Sequence, residues 1–197
     1  ITSIEIIALR IAGMETFDSI CHAFTTMPTG GFSTKNASLA HYDNPMIHYI
    51  IIFFMFLAGI NFSLHFHAMS GSIKTYFRDT EFLVYFLIII SISSIIFFSL
   101  SYQSNTFSDL TLRESLFGTI AMLTGTGYVL GDYEIWPVFL QMILLTLMFV
   151  GGMGGSTTGG MKVIRVLLLV KYAALETRRM LHSRALLPVK IGKQLIK

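Results

Sequence analysis

The sequence predicts an all-α integral membrane fold in which one unit occurs twice: helix, short helix, glycine turn, helix. Three observations predict it. Hydrophobic residues make up 53% of the chain and charged residues 13%, against about 25% charged in an average soluble domain. Asp, Glu, Lys and Arg are absent from Asn44 to Ile73, from Phe82 to Ser108 and from Ile135 to Met161, runs of about 27 to 30 residues. A helix needs about 20 apolar residues to cross the hydrocarbon core, so each run is long enough. Finally, two moderately apolar segments, 15–28 and 111–124, are too short to span and each runs into a Gly-rich turn.

The elements follow in order. Ile4, Ile6, Ile7, Ala8, Leu9 and Ile11 read as the end of a spanning helix whose start precedes Ile1. With no basic region before them and no small-residue cleavage site, they are not a signal peptide. A short helix over 15–28 leads into the turn 29–33, and a helix over 45–68 follows. Lys74 and Arg78 then separate this unit, 1–74, from a second, 75–184. The second unit has a helix over 80–101, a short helix over 111–124, the turn 125–129, and a helix over 134–171 interrupted at 151–160. Residues 185–197 read as a cytoplasmic linker toward a further unit.

Basic residues favour the cytoplasmic side of a membrane. That places 69–80 and the Lys/Arg-rich 172–197 inside, and 33–43 and 101–111 outside. Both short helices then start and finish on the outer side, as re-entrant segments. Placing Gly31 on Gly127 also pairs Ser19 with Ser115 and Phe32 with Tyr128. After a shorter second loop, Gly59 pairs with Gly152 and Ser63 with Ser156. Matching halves of this kind indicate a repeat around an axis along the membrane normal. Cys21 has no partner in the chain for a disulfide.

A dehydrated cation needs oxygen ligands in place of water, and rings of backbone carbonyls supply them in cation pores. Turning consecutive carbonyls to one axis demands backbone angles that favour glycine. Thr29-Gly30-Gly31-Phe32 and Thr124-Gly125-Thr126-Gly127-Tyr128 have the required composition. The C-terminal dipole of each short helix would favour a cation nearby. Asp18, Asp43, Asp132 and Glu134 would raise the cation concentration at the outer mouth. The alternative is a pair of ordinary glycine turns between helices.

Residues Gly151, Gly152, Gly154, Gly155, Ser156, Thr157, Thr158, Gly159 and Gly160 interrupt the third run. Glycine inside a helix costs about 1 kcal/mol relative to Ala, so a regular helix is not expected there. A phosphate-binding loop is one reading, but it needs Lys directly after Gly, and Met161 intervenes before Lys162. Close helix packing is another, through Gly151, Gly155 and Gly159 at four-residue spacing. The third is an intramembrane loop that plugs a pore beneath the glycine turns.

Remaining residues receive blander readings. His65 and His67 stand two apart on a helix, which suits packing better than metal ligation. Asn61, in mid-run, should line a pore or bond to another helix. Trp136 and Tyr133 suit an outer interfacial belt and Tyr76 an inner one. Arg178, Arg179 and Lys171 would meet anionic lipid or a cytosolic partner. A membrane-embedded enzyme would need acid, base or metal-ligating groups in the spans, and the long runs contain no Asp or Glu. A bundle without a pore does not explain two re-entrant turns.

The stretch Phe17-Asp18-Ser19-Ile20…Thr29-Gly30-Gly31-Phe32-Ser33-Thr34 resembles the second pore loop of the TrkH/KtrB potassium transporters. Trp136-Pro137…Gly151-Gly152-Met153-Gly154-Gly155-Ser156-Thr157-Thr158-Gly159-Gly160-Met161-Lys162-Val163-Ile164-Arg165 resembles the third repeat, closer to the TrkH branch. The resemblance covers essentially the whole chain and implies the second and third of four pore repeats of potassium-channel type around a central pore. It implies potassium uptake across a bacterial cytoplasmic membrane by a multi-pass homodimer, by flux alone or by symport with protons or sodium. A sodium-coupled or less selective monovalent cation transporter of the same fold is the alternative. The resemblance further implies a ring of cytosolic nucleotide-binding regulatory subunits of TrkA type, no nucleic-acid partner and no cofactor. Potassium would be bound only by carbonyls of the filter residues Thr29, Gly30, Gly31 and Phe32, and Thr124, Gly125, Thr126 and Gly127. Gly125 stands where many members carry Thr, which removes a hydroxyl there. Of the three readings of 151–160, the resemblance favours the gate.

Overall fold

The computed structural model describes residues 1–71, 74–181, 189–191 and 194–196, with the side chains of 104 and of everything from 178 on outside that description. Helix α1 (Thr2–Ile11) carries Ile4, Ile7 and Ile11 on its open side and Leu9 on its buried one, and stops at Gly13 (φ 95°). Helix α2 (Thr16–Thr26) buries Ser19, His22, Ala23 and Thr26, a stripe at helical spacing, while Phe17 and Phe24 stay exposed.

Helix α3 (Pro45–Ala58) starts as its sequence dictates: Asn44 accepts the Met46 amide (3.0 Å) and Pro45 takes the first helical position. After α4 (Phe62–Met69) and α5 (Lys74–Arg78), Asp79 caps the long α6 (Thr80–Ser104), which ends at Asn105 with φ 51°. Ser108 caps α7 (Asp109–Thr124), and Gly125 ends it in a left-handed conformation. Helices α8 (Val138–Phe149) and α9 (Val163–Leu181) complete the helical part.

Each of the two helices that lead into a glycine turn is wedged between neighbours. Helix α2 packs on α1 and α3, and α7 packs on α6, α8 and α3. Phe117, Thr119, Ile120, Ala121 and Leu123 of α7 are buried on several sides at once. Helix α6 keeps Leu87, Ile90 and Phe98 exposed, the all-round apolar character of a helix whose surroundings are themselves apolar.

The three charge-free runs fold differently from one another. The helix within Thr80–Gln103 (24 residues, mean hydropathy 2.6) is, among the described residues, the one long and apolar enough to cross a membrane unbroken. The run expected as a single helix over 45–68 is divided: α3 and α4 meet at 102°. Gly59 stands at the break, where an added Cβ would lie 2.0 Å from the Tyr85 hydroxyl. Asn61 then starts a new helix by accepting the Ser63 amide (2.9 Å). The third run gives α8, then a non-helical segment, then α9.

A further expectation changes. Trp136 is 6% exposed and forms an edge-to-face pair with Tyr133 (4.8 Å) over Gly118 of α7. It seals the protein's interior and does not line an interfacial belt. Within 185–197, read as a linker, β1 (Val189–Ile191) pairs antiparallel with β2 (Gln194–Ile196). The basic side chains of Arg178, Arg179, Arg184 and Lys193 lie outside the described residues.

Candidate functional site

The two glycine turns share one backbone pattern. Thr29 (φ 57°) and Gly31 (φ 65°) are left-handed in the first, and Gly125 (φ 70°) and Gly127 (φ 74°) in the second. In an extended chain successive carbonyls point to opposite sides. A left-handed residue at every second position turns them toward one side, the requirement for a row of cation ligands. Glycine adopts this at no steric cost, whereas Thr29 pays about 1 kcal/mol. Its strain is held by its amide on the Thr26 carbonyl (3.0 Å) and its hydroxyl near the Pro28 carbonyl (2.7 Å). Gly125 and Gly127 are exposed while Thr124, Thr126 and Tyr128 turn inward, so the open face of the second turn is bare backbone.

The turns touch. A Cβ on Gly31 would lie 1.7 Å from the Thr126 carbonyl oxygen. Thr25 ties them together: its hydroxyl lies within hydrogen-bond distance of the Phe32 carbonyl (2.8 Å) and the Tyr128 hydroxyl (2.6 Å), and its carbonyl receives the Gly30 and Gly31 amides. Tyr128 is fully buried against α2 and also reaches the His22 carbonyl (3.2 Å). His22 is fixed in turn, Nδ1 donating to the Asp18 carbonyl (2.7 Å) and Nε2 accepting from Ser33 (3.0 Å). Phe32, paired with Tyr128 in the sequence, is 77% exposed.

Beneath the turns sits the glycine-rich segment, closed at its neck. The Gly151 amide donates to the Met161 carbonyl (2.8 Å), Met161 to Phe149 (3.1 Å) and Val163 to Gly152 (3.1 Å). Two of its glycines are there for close approach. A Cβ on Gly151 would stand 2.1 Å from the Gly159 carbonyl oxygen, and one on Gly152 would stand 2.6 Å from that of Gly59. Non-helical backbone in an apolar setting needs partners other than a helix ladder, and part of this segment finds them in its own side chains. Gly152 donates to the Thr158 hydroxyl (2.9 Å) and Ser156 donates to the Met153 carbonyl (2.6 Å).

The broken end of α3 is where the segment docks. Helix ends leave carbonyls without intrahelical partners. Here Phe56 accepts from the Tyr85 hydroxyl (3.3 Å), Leu57 from His65 Nε2 (3.0 Å), Ala58 from the Thr157 hydroxyl (3.2 Å) and Gly59 from the Met153 amide (2.9 Å). The Thr157 hydroxyl also reaches the Met27 carbonyl at the foot of α2 (2.8 Å), and the Thr29 hydroxyl meets the Thr157 carbonyl (3.2 Å). The glycine-rich segment and the first glycine turn are thus directly bonded.

Several predicted residues land elsewhere. Asp18 does not raise cation concentration at a mouth. It is 3% exposed, pairs with Lys35 (3.2 Å) and accepts from Thr34 (2.7 Å) and Tyr42 (2.8 Å). Burial pushes its carboxyl up, but those bonds and the Lys35 charge outweigh burial and hold it below its ordinary value. Its role is to anchor the chain leaving the first turn. The Thr124 hydroxyl bonds to the Ile120 carbonyl (2.7 Å) and to Thr126 (2.8 Å), inside the protein. Asn61 caps α4 and abuts Gly155. His65 spends both ring nitrogens, on Leu57 and on the Tyr76 hydroxyl (2.7 Å). Sequence reasoning missed Thr25, His22, Glu81 and Lys162. The readable signal was a polar residue in otherwise apolar surroundings.

Two helix–short helix–glycine turn–helix units, with the turns in contact and bonded to a non-helical segment, define the repeated pore-helix fold. The model of the TrkH family, described as a cation transport protein, matches residues 4–197. The chain is 39% identical over 193 residues to the Trk system potassium uptake protein TrkH of Escherichia coli strain K12, covering 95% of this chain and 39% of that protein. It is 36% identical over 194 residues to TrkG of the same organism, covering 97% and 40%. The crystal structure of the potassium transporter TrkH from Vibrio parahaemolyticus superposes with a TM-score of 0.91 at 37% identity, over 97% of this chain and 42% of that one. The chain belongs to the TrkH cation transport family, a family of membrane transporters and not of enzymes. It spans about two fifths of the length of these relatives.

Proposed function

We propose that this chain forms two of the pore repeats, 1–74 and 75–184, of the pore-forming subunit of a Trk-type potassium uptake system. The observation that carries the reading is the pair of glycine turns, in contact and left-handed at equivalent positions. In this reading Thr29, Gly30, Gly31 and Phe32, with Thr124, Gly125, Thr126 and Gly127, present carbonyls to a dehydrated potassium ion. The segment Gly151–Gly160 is the gate beneath them. Its bonds to Met27, Thr29 and the end of α3 support this, since a plug must seat on the filter's foot.

The subunit resides in a bacterial cytoplasmic membrane as a multi-pass homodimer, with 69–80 and 172–197 in the cytoplasm facing a TrkA-type regulatory ring. The names of the relatives and the distribution of Lys and Arg support this. Symport with protons or sodium is the finer possibility within it. A less selective monovalent cation pathway is the second reading, favoured by the bare Gly125 at a filter position.

Rubidium uptake by the full-length transporter in a strain lacking other potassium uptake tests the proposal. Uptake is expected, with potassium competing better than sodium. No uptake from a correctly inserted protein with its regulatory partner present overturns it, and equal competition by sodium selects the second reading.

A further inference from the structure

The glycine-rich segment is held from two sides by side chains outside its tip. Glu81, in the first turn of α6, accepts both the Gly154 amide (2.7 Å) and the Ile164 amide (3.0 Å) on one carboxylate oxygen. It thereby joins the middle of the segment to the start of α9. Lys162, at the segment's exit, places its ammonium on the Thr158 carbonyl, the Thr158 hydroxyl (3.1 Å) and the Ser156 carbonyl (3.5 Å). Those oxygens flank Thr157, the residue that bonds to the foot of the first glycine turn. An ammonium and a dehydrated monovalent cation take the same kind of oxygen ligands. Lys162 is only half-buried, so water can receive its charge when it leaves. Glu81 is 9% exposed and stays with the backbone it binds.

We propose that Lys162 is a releasable catch on the gate: its tethered ammonium occupies the oxygens on either side of Thr157 and holds the segment under the glycine turns, while Glu81 is the fixed hinge. The proposal rests on the gate reading above. Opening requires the ammonium to withdraw. Any displacement of α9 bears on both holds, because Lys162 immediately precedes α9 and Glu81 grips the amide of Ile164 in its first turn. Lys162 is a positioning residue and touches the ion path only through the segment.

The test measures rubidium flux into liposomes holding the full-length transporter without its regulatory partner. Lys162→Met and Lys162→Gln are each expected to raise flux severalfold with the rubidium-to-sodium preference unchanged, and Lys162→Arg to restore the wild-type level. Deletion of Gly154–Gly159 is run alongside. A merely structural Lys162 would give lowered flux or lost preference. If the deletion raises flux and neither charge-removing variant does, the catch is overturned and the gate stands. If the deletion leaves flux unchanged, the gate reading falls and the catch with it. Glu81→Ala serves where the Lys162 variants fail to insert: raised flux supports the two-sided hold, and unchanged or lowered flux overturns it.

Discussion

Thr29 and Gly125 occupy equivalent places in the two turns, and both are left-handed. A β-branched residue is an outlier there, so the backbone pattern is imposed by the surrounding bonds and not by the residue. Thr29→Gly is therefore expected to relieve about 1 kcal/mol of local strain and to retain rubidium uptake. Gly31 is the opposite case. Its missing Cβ is the space taken by the Thr126 carbonyl, 1.7 Å away, so any side chain there must displace both turns. Gly31→Ser is expected to abolish the preference for potassium over sodium, read as rubidium uptake under sodium competition. A Gly31→Ser protein with full preference would show that the contact between the turns does not matter.

At the scale of elements, the decisive event is the end of α3. Its sequence is apolar on both sides of Gly59 and gives a continuous helical pattern, because periodicity records which face is buried and not whether the axis bends. Tyr85, which comes from α6, packs on Gly59 at the bend. Gly59→Ala is expected to destabilise the protein by about 1–3 kcal/mol through overpacking, seen in thermal unfolding of purified protein. Tyr85→Phe removes the nearer of the two clashing atoms, the hydroxyl oxygen, and leaves the ring carbon at 2.7 Å. The double variant should therefore recover part of the loss. Full additivity of the two changes would show that the Tyr85 hydroxyl is not what the added methyl meets.

Across the whole molecule, the break in α3, the glycine-rich segment and the foot of α2 form one bonded unit through Thr157. That unit joins residues about 130 positions apart in the chain. Thr157→Val keeps the shape and removes the shared hydroxyl, leaving the Met27 and Ala58 carbonyls short of a donor at about 1–3 kcal/mol. The expected result is a rubidium leak from liposomes in the absence of any regulatory partner. A sealed Thr157→Val protein would mean that this hydroxyl is not needed to hold the segment in place.

Charge-free runs, turn chemistry and helix caps are local properties, and the sequence alone determined what depends on them. The helical class, the two short helices, the glycine turns at Gly31 and Gly127 and the interruption at Gly151–Gly160 were all legible, as was the family through its motifs. What bonds to what was not. Asp18 looked like a charge at an open mouth, yet Lys35, Thr34 and Tyr42 enclose it. Trp136 looked like an interfacial anchor and is instead buried over Gly118. Three similar apolar runs became one straight, one bent and one broken helix, since only neighbours distant in the chain can receive the carbonyls that a break sets free. Tertiary structure decided these points because hydrogen-bond satisfaction in an apolar setting belongs to the whole assembly of helices, and no single segment carries its own partners.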